Sequence, residues 1–391
     1  MSSHILHPSV FHTWQTYSMK ATVTSVEAIL VDLPTIRAHQ LAMTTMQRQT
    51  LVIVRLRCSD GVEGIGEATT IGGLSYGDES PEGIKLTIDT YLAPALAGLD
   101  ASNIHAAMQR LAAVARGNRF AKSALESALL DAQGKRLGLP LSELLGGAVR
   151  PNLACLWTLA SGDTGRDIEE AESLLEVRRH NTFKLKIGRR SVRDDVAHVS
   201  AIKRALGDRA RVTVDVNQAW NEADAATGIA MLEAAGIDLV EQPVPREQRG
   251  ALARLAARFV VPVMADESVC GPEDAMELAR IAGADVFALK ISKSGGIFEM
   301  LRTAAVGDAA GIALYGGTML EGSVGTIAAA HGFSTLPRLA WGTELFGPLL
   351  LKDDVVTARP EYRDFALHLP VGPGLGLTLD EDKLAHYRRA A

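Results

Sequence analysis

A chain of 391 residues with 47% hydrophobic residues is long enough for one barrel of roughly 200 to 250 residues and a smaller domain. The formal net charge of −6, without a run of basic residues, argues against nucleic acid or an anionic membrane as a partner. The three cysteines are odd in number and far apart in the sequence. They favour free thiols in a reducing compartment, and hence a cytoplasmic protein.

The first residues of the chain, 1–19, are expected to lie outside the fold. Residues 1–18 contain aromatic residues and histidines, but neither the basic start nor the apolar stretch of a signal peptide. Met19 directly precedes the first strand-like pattern. We therefore interpret residues 1–19 as a disordered extension. The sequence also contains no stretch that is long and apolar enough to span a bilayer.

The next part of the sequence begins with the pattern of β-structure. A strand is predicted over residues 23–33. Residues 50–57 and 64–68 are predicted to pair as a hairpin, because the turn between them contains Asp60-Gly61.

Helices are predicted after this hairpin. Ser80 and Ser102 are expected to cap two of them, and residues 121–136 have the alanine- and leucine-rich composition of a third. Together with the strands, these helices would form an α+β capping domain over residues 20–150.

Short apolar, β-branched runs then alternate with helical patterns. Five of the runs end in a lysine or an acidic residue, roughly 25 to 30 positions apart, which is the length of a strand, a helix and two loops in a parallel sheet. The spacing predicts a (β/α)8-type barrel over residues 151–346, and residues 347–391 are predicted to return to the capping domain and complete it. The eight barrel strands are expected at residues 153–159, 183–187, 212–217, 238–242, 262–267, 286–290, 312–316 and 339–344.

Three carboxylates stand at the ends of consecutive predicted strands: Asp215, Glu241 and Asp266. The carboxyl ends of parallel strands share one face, and in closed barrels that face carries the active site. Three hard oxygen ligands suit Mg²⁺ or Mn²⁺. For any single one of these residues, the alternative is that it only caps the helix that follows its strand.

Lysines flank these carboxylates. Lys184 and Lys186 are two residues apart on one predicted strand, so both side chains should project into the barrel mouth. Each positive charge destabilises the other and a metal ion adds a third, so we expect a depressed pKa and a neutral amine near pH 7. The alternative is a solvated pair on an edge strand. Lys290 is expected on the opposite side, and Lys293 is interpreted as a loop or helix-start residue.

A divalent metal beside a lysine base is an arrangement that can form or quench an enediolate. Removing a proton next to a carboxylate creates a second negative charge on that group. A metal ion at the carboxylate oxygens stabilises this charge where it develops, so the base needs only modest strength.

Longer motifs surround these residues. They are Lys184-x-Lys186, Asp215-x-Asn217, Glu241-Gln242-Pro243, Asp266-Glu267-Ser268, Lys290, residues 316–323 and residues 341–348. Together these motifs resemble those of the muconate-lactonizing subgroup of the enolase superfamily, and the motifs at 316–323 and 341–348 are closer to muconate cycloisomerases than to the subgroup generally. The resemblance covers roughly residues 20–391.

The resemblance implies a metal-dependent isomerase that closes cis,cis-muconate to muconolactone in bacterial catechol degradation, within the β-ketoadipate pathway. One substrate carboxylate adds across a double bond, the other becomes an enediolate held by the metal, and a lysine delivers the proton to carbon. It also implies Mn²⁺ or Mg²⁺ as cofactor, a small dicarboxylate as substrate and a homo-octamer.

The resemblance assigns roles by position in the motifs. Lys186 matches the proton-transfer lysine, and Lys184 would support its pKa or a carboxylate oxygen. Lys290 would act electrostatically from the opposite side, Asn217 would support a metal ligand, and Glu344 matches an acidic partner at the end of the eighth strand. The matching metal ligands are Asp215, Glu241 and Asp266.

Substrate selectivity is expected to come from the capping domain. Ile71, Tyr76 and the loop at residues 43–46 should close over the barrel mouth, and Phe346 should lie just past Glu344. Bulky Ile71 and Phe346 would favour unsubstituted muconate over a chlorinated one. The alternative for both is hydrophobic packing between cap and barrel.

Other functions remain open at the level of sequence. The same barrel residues serve chloromuconate cycloisomerase, dipeptide epimerase and o-succinylbenzoate synthase, since these enzymes share the first half-reaction. A barrel without activity, kept for binding or structure, is the alternative from a different class. The presence of all three carboxylates and both lysines argues against it.

Overall fold

The computed structural model describes residues 21–41 and 44–390. The predicted extension at residues 1–19 and Met43 of the capping loop lie outside the described residues. In the described chain, the first sheet is antiparallel and has the order β1-β2-β3. Its strands are β1 Val23–Gln40, β2 Thr45–Cys58 and β3 Glu63–Thr69.

The predicted hairpin is confirmed, because β2 pairs with β3 from Arg57 opposite Glu63 to Leu51 opposite Thr69. The first strand is longer than predicted. It continues beyond Leu33 through a register shift between Pro34 and His39, where the regular pairing with β2 is interrupted. This extension carries its last residues towards the barrel.

The helices of the N-terminal part follow the sheet. One expected cap is confirmed, since the Ser80 hydroxyl accepts a hydrogen bond from the amide of Gly83 at 3.1 Å. The other is wrong: Asn103 caps the third helix, because Ser102 uses its hydroxyl on Asp100 instead. The helices are α1 Pro81–Thr87, which passes through a π-helical turn (Ile88–Leu92) into α2 Ala93–Leu96, then α3 Ile104–Val114, α4 Arg119–Leu137 and α5 Leu141–Leu144.

Helix α4 lies directly on strand β3. A Cβ atom on Gly64 or Gly66 would collide with the backbone carbonyls of Ala128 and Ala124, respectively. The two glycines therefore permit the helix backbone to approach the sheet more closely than any other residue would allow.

The described chain then forms a seven-stranded parallel sheet of consecutive strands, in the order β5 to β11. This confirms the α/β barrel architecture. The strands are β5 Trp157–Leu159, β6 Thr182–Lys186, β7 Arg211–Asp215, β8 Leu239–Glu241, β9 Val263–Ala265, β10 Val286–Leu289 and β11 Ala313–Gly316. The helices are α6 Thr164–Glu176, α7 Val192–Leu206, α8 Glu222–Ala234, α9 Arg249–Arg258, α10 Pro272–Arg280, α11 Ile291–Ser294, α12 Ile297–Ala309 and α13 Ser323–Ser334.

The eighth predicted strand, residues 339–344, is replaced by isolated bridges. Thr343 bridges to Cys155 next to β5 and to Gly316 at the end of β11, which joins the two edges of the sheet. The amide of Glu344 also donates to the carbonyl of Gly316 at 2.7 Å. The segment occupies the eighth position, but its pairing is too short to form a regular strand.

The first predicted barrel strand, residues 153–159, is divided between two sheets. Its beginning, β4 (Asn152–Ala154), pairs antiparallel with β13 (Ala366–His368), and only β5 belongs to the barrel. The backbone of β4 is thus hydrogen-bonded to β13 and not to a barrel strand. Two elements precede β13 in the C-terminal segment, namely α14 (Gly347–Leu350) and β12 (Glu361–Arg363).

The last helix, α15 (Glu381–Tyr387), reaches the N-terminal sheet. Arg388 forms a bridge with Val31, and the amide of Arg389 donates to the carbonyl of Leu30 at 2.9 Å. No helix in the described part of the chain is long and apolar enough to cross a membrane.

Candidate active site

The three predicted metal ligands lie side by side at the carboxyl ends of the strands. Asp215 ends β7 and is paired in register with Glu241, which ends β8. Asp266 directly follows β9. Each of the three is only 1% exposed. The parallel sheet therefore gathers buried negative charge at one edge, as the spacing of the motifs predicts.

Lysines contact all three carboxylates. Lys184 Nζ on β6 lies 2.5 Å from Glu241 Oε2, and Lys186 Nζ on the same strand lies 2.5 Å from Asp215 Oδ2. On the other side, Lys290 Nζ lies 2.6 Å from Asp266 Oδ2. In the strand order β7, β8 and β9 separate these two groups of lysines.

The charges of the protein alone do not depress the pKa of either lysine. Burial lowers the pKa of Lys184, but the nearby Glu241 and Glu344 carboxylates raise it well above its ordinary value. Burial also lowers the pKa of Lys186, and Asp215 and Glu344 raise it more than Lys184 lowers it. The carboxylates close to each ammonium group outweigh the neighbouring lysine, so both lysines are held in the charged form.

The three predicted ligands are not arranged as a metal cluster in this structure. Within the described residues, no group of three or more His, Cys, Asp or Glu side chains could hold a metal ion, and each of these carboxylates instead contacts a lysine.

The unsatisfied atoms of the site nevertheless fit a cation. Among the described residues, Glu241 Oε1 has no hydrogen-bond partner, whereas Oε2 lies 2.5 Å from Lys184 Nζ. Burial and the charge of Asp215 raise the pKa of Glu241 well above its ordinary value. Buried polar groups are normally satisfied. Three hard oxygen donors on adjacent strand ends therefore fit a divalent metal in donor type.

Asn217 holds the first of these carboxylates in position. Its backbone N–H donates to Asp215 Oδ1 at 2.8 Å. Its side-chain Nδ2 donates to Asp215 Oδ2 at 3.1 Å and to Glu267 Oε1 at 3.2 Å. Its φ of 45° lies in the left-handed region that asparagine tolerates better than most residues. The structure thus places Asn217 behind the carboxylate that it was expected to support.

Glu344 belongs to the same network. Its carboxylate accepts hydrogen bonds from Lys184 at 2.7 Å, from the Tyr315 hydroxyl at 3.1 Å and from the Thr158 hydroxyl at 3.2 Å. Burial raises the pKa of Glu344, but Lys184 and Lys186 lower it more, so it stays below its ordinary value. The sequence interpretation missed Thr158 and Tyr315, although both stand on predicted barrel strands.

Lys293 was interpreted as a loop or helix-start residue, and this interpretation is wrong for its side chain. Lys293 Nζ is buried and lies 2.5 Å from Asp266 Oδ1. Burial raises the pKa of Asp266, but Lys290 and Lys293 together lower it well below its ordinary value. The sequence signal for this contact was that Lys293 lies three positions after Lys290, a spacing that puts two side chains on one face of a helical turn.

The capping part contributes Tyr76, whose hydroxyl donates to Asp266 Oδ2 at 2.8 Å and accepts from Lys290 Nζ at 2.7 Å. The loop between β1 and β2 also contacts the barrel. Arg189, shortly after β6, donates to the Leu41 carbonyl at 3.4 Å and to the Thr45 hydroxyl at 3.3 Å.

The two bulky residues expected to limit the substrate are buried. Ile71 follows β3 and is 4% exposed, and Phe346 is fully buried. The ring centroid of Phe346 lies 5.0 Å from that of Trp157 and 6.3 Å from that of His39. Both residues are thus packed within the molecule, and their role in selectivity stays a prediction.

Two family profiles match most of the chain. Residues 25–146 match the profile described as "Mandelate racemase / muconate lactonizing enzyme, N-terminal domain". Residues 166–383 match the profile described as "Enolase C-terminal domain-like".

Individual proteins are similar over almost the whole length. The chain is 64% identical to muconate cycloisomerase 1 of Pseudomonas putida, covering 93% of this chain and 98% of that protein. It is 48% identical to a chloromuconate cycloisomerase of Pseudomonas sp. strain P51, covering 94% and 100%. Among solved structures, it is similar to the muconate lactonizing enzyme of Pseudomonas fluorescens complexed with muconolactone, with a TM-score of 0.94, 62% identity, and coverage of 95% and 100%.

Proposed function

This chain belongs to the mandelate racemase/muconate lactonizing enzyme family of the enolase superfamily, and we propose that it is a muconate cycloisomerase. It interconverts cis,cis-muconate and muconolactone in catechol degradation. The observation that carries the proposal is the row of three buried carboxylates on consecutive strand ends, with lysines on both sides. Like its family, the enzyme is an isomerase that depends on a divalent metal.

We assign Asp215, Glu241 and Asp266 as ligands of Mn²⁺ or Mg²⁺. Their burial supports the assignment, as does Glu241 Oε1, which has no hydrogen-bond partner among the described residues. When bound, such a cation stabilises negative charge that develops on a substrate carboxylate.

Lys186 is the proposed proton carrier. In the cyclisation, a carboxylate oxygen of the substrate forms a C–O bond at one end of a double bond. The electron pair of that double bond moves towards the second carboxylate. Lys186 then gives its proton to the carbon atom adjacent to this second carboxylate. In the reverse reaction Lys186 removes this proton. Asp215, at 2.5 Å, keeps the ammonium group charged and in position before the transfer.

The other lysines have fixed electrostatic roles in this proposal. Lys184 is held between Glu241 and Glu344, so it remains charged beside the proton carrier. Lys290 and Lys293 hold Asp266 from the opposite side. The contacts with Lys290 and Lys293 lower the pKa of Asp266 and so favour its ionised form.

We further propose that Ile71, Tyr76 and Phe346 line the substrate and that Ile71 and Phe346 favour unsubstituted muconate. The contacts of Tyr76 with Asp266 and Lys290 support its place beside the substrate.

Domain division, assembly and location are also proposals. We place the capping domain at residues 20–150, the barrel at 151–346 and the returning segment at 347–391, and the ranges matched by the two family profiles support a division near residue 150. A homo-octamer in the cytoplasm is proposed, and the three cysteines, which all lie in the described chain and are free thiols, agree with a reducing compartment.

Loss of cis,cis-muconate absorbance in the ultraviolet tests the function directly. We expect purified full-length protein to consume the substrate with Mn²⁺ or Mg²⁺ present, to lose activity on exhaustive chelation and to regain it when metal is returned. Full turnover at negligible metal content would contradict the ligand assignment. Parallel assays with chloromuconate, a dipeptide and the succinylbenzoate precursor distinguish the related enzymes, and inactivity with all four would favour a barrel without catalysis.

A further inference from the structure

His39 is a fully buried histidine with two unsatisfied nitrogen atoms. Its exposed fraction is 0%, and neither ring nitrogen has a hydrogen-bond partner among the described residues. Nearly all buried polar side chains in folded proteins are hydrogen-bonded to protein, water or ligand. The imidazole of His39 is therefore available to a partner from outside the chain.

The position of His39 places this unsatisfied group at the barrel mouth. It lies near the end of β1, opposite Met46 of β2 and just after the register shift. Its ring packs near Phe346, and the charges of Lys186 and Glu344 act on it. It therefore lies on the Lys186 side of the mouth, whereas Tyr76 contacts Asp266 and Lys290 across the site.

Two cations, Arg37 and Lys186, and one carboxylate, Glu344, act on His39. Arg37, two residues earlier on β1, donates from Nη2 to the Thr158 carbonyl and to Glu170. Its Nη1 atom is buried and has no hydrogen-bond partner within the described part of the chain. Burial lowers the pKa of His39, and the charges of Arg37 and Lys186 lower it further, to about 3. The imidazole is thus neutral at neutral pH and offers one N–H donor.

A dicarboxylate substrate needs two anchoring sites. One carboxylate is accounted for by the row of acidic ligands and their metal, which leaves the other without an assigned partner. A neutral N–H donor that is shielded from water, with the two cations Arg37 and Lys186 against the one carboxylate Glu344, suits this second carboxylate. Hydrogen bonds to a charged acceptor in such a place are stronger than those between neutral groups.

We propose that the His39 N–H donates a hydrogen bond to the substrate carboxylate that is distant from Asp215, Glu241 and Asp266, and that His39 thereby selects dicarboxylates over monocarboxylates. This inference rests on the proposed function in one respect, namely that the substrate is a dicarboxylate. It adds a binding group from the capping part, on the opposite side of the mouth from Tyr76.

Calorimetric titration of the metal-loaded, full-length protein tests the inference without requiring turnover. The probes are adipate, a six-carbon dicarboxylate, and hexanoate, its monocarboxylate counterpart. We expect native protein to bind adipate more tightly. His39→Leu should weaken adipate binding by about tenfold or more, as expected for a lost hydrogen bond to a charged group, and leave hexanoate binding unchanged. His39→Gln retains an N–H donor and should keep much of the preference.

His331→Leu is the matched control, because His331 is also buried with an unsatisfied ring nitrogen in the described chain but lies on α13 and contacts Leu375. It should leave both affinities unchanged. If His39→Leu does not fold, His39→Phe, which keeps a ring of similar size, takes its place.

Each other result has a definite meaning. Unchanged adipate binding in the His39 variants would overturn the inference and leave water as the partner of the imidazole. An equal loss for adipate and hexanoate would overturn it in favour of a packing role. A native protein that binds both probes equally, yet turns over muconate, would also overturn the inference while the proposed function stands; without turnover, both would fail.

Discussion

At the scale of single residues, the two lysines of β6 differ in how firmly they are held. The side chain of Lys184 is 1% exposed and lies between two carboxylates, Glu241 and Glu344. The side chain of Lys186 is 10% exposed and has one carboxylate at ion-pair distance, Asp215, among the described residues. The lysine with one partner can reach a substrate carbon by breaking a single contact. This difference supports Lys186 rather than Lys184 as the proton carrier.

The first prediction separates proton transfer from metal binding. Lys186→Ala removes the proton carrier but leaves Asp215, Glu241 and Asp266 in place. We expect turnover to fall by at least roughly 10²- to 10⁴-fold, the usual contribution of an acid–base group, while metal affinity measured by titration survives. In deuterated water, native enzyme should exchange the proton of muconolactone beside its free carboxylate, and the variant should not.

The comparison variant for this prediction is Lys184→Ala. It should also lower turnover, because the positive charge between Glu241 and Glu344 is lost. Near-native exchange in Lys186→Ala would contradict the assignment and make another lysine, with Lys290 the first to examine, the proton carrier.

A second prediction concerns selectivity. If Ile71 and Phe346 limit the space beside the substrate, Ile71→Val with Phe346→Leu should raise kcat/KM for chloromuconate relative to muconate. The change should correspond to about 1–3 kcal/mol, the value of methylene-scale changes in a pocket. Ile229→Val, in the buried face of α8, is the control and should not alter the ratio. An unchanged ratio in the double variant would mean that other residues set selectivity.

At the scale of elements, the sequence predicts what local patterns determine. The hairpin of β2 and β3 and the helix α4 follow from turn residues and short-range periodicity, and the structure contains both. The division of residues 153–159 between two sheets was not predictable in this way. It depends on β13, which lies more than 200 positions later in the sequence.

The site shows the same limit. The spacing of the strand ends is enough to predict that the carboxylates and Lys184, Lys186 and Lys290 come together. The contacts of Lys293, Thr158 and Tyr315 depend on distances between elements, and the direction of the lysine pKa values depends on which carboxylate each lysine contacts. Neither kind of information is present in a motif.

A third prediction concerns the contact of α4 with α12. Glu126 on α4 accepts hydrogen bonds from the amides of Ile297 and Phe298 at the start of α12. Burial raises the pKa of Glu126 to about 8. Because the unfolded chain ionises this carboxyl from about its ordinary value of 4.5, native stability should fall as pH rises between these two values.

Glu126→Gln keeps an acceptor oxygen and removes the ionisation. Thermal melting at about pH 5 and about pH 8 should therefore show native protein losing stability relative to this variant as pH rises. Glu143→Gln, on the exposed side of α5, should follow the native curve. If Glu126→Gln also follows the native curve, the carboxyl ionises without cost in the folded protein.

At the scale of the whole molecule, the C-terminal part of the described chain returns to the first sheet. Strand β13 pairs with β4 beside the barrel, and the residues after α15 join β1 of the first sheet. The C-terminal part therefore links the barrel to the part that carries His39 and Tyr76. Its attachment should affect how stably these residues are held over the barrel mouth.

The last prediction tests this attachment through Arg389. Its guanidinium donates to both oxygens of Asp32 at 2.7 Å and also to Glu82, and these hydrogen bonds lower the pKa of both carboxyls. Groups with lowered pKa contribute stability above their ordinary values, here 3.8 and 4.5, and lose it as pH falls. Arg389→Ala should therefore lower Tm near neutral pH by roughly 1–4 °C, about 1–2 kcal/mol for a partly exposed bidentate pair. The difference should shrink below about pH 4 as the carboxyls become protonated.

Arg388→Ala is the matched control, because Arg388 contacts Glu27 at 3.4 Å through a more exposed side chain, and it should change Tm less. Equal effects of the two variants, or a difference that does not depend on pH, would show that the contact with Asp32 does not fasten the C-terminal segment to the first sheet.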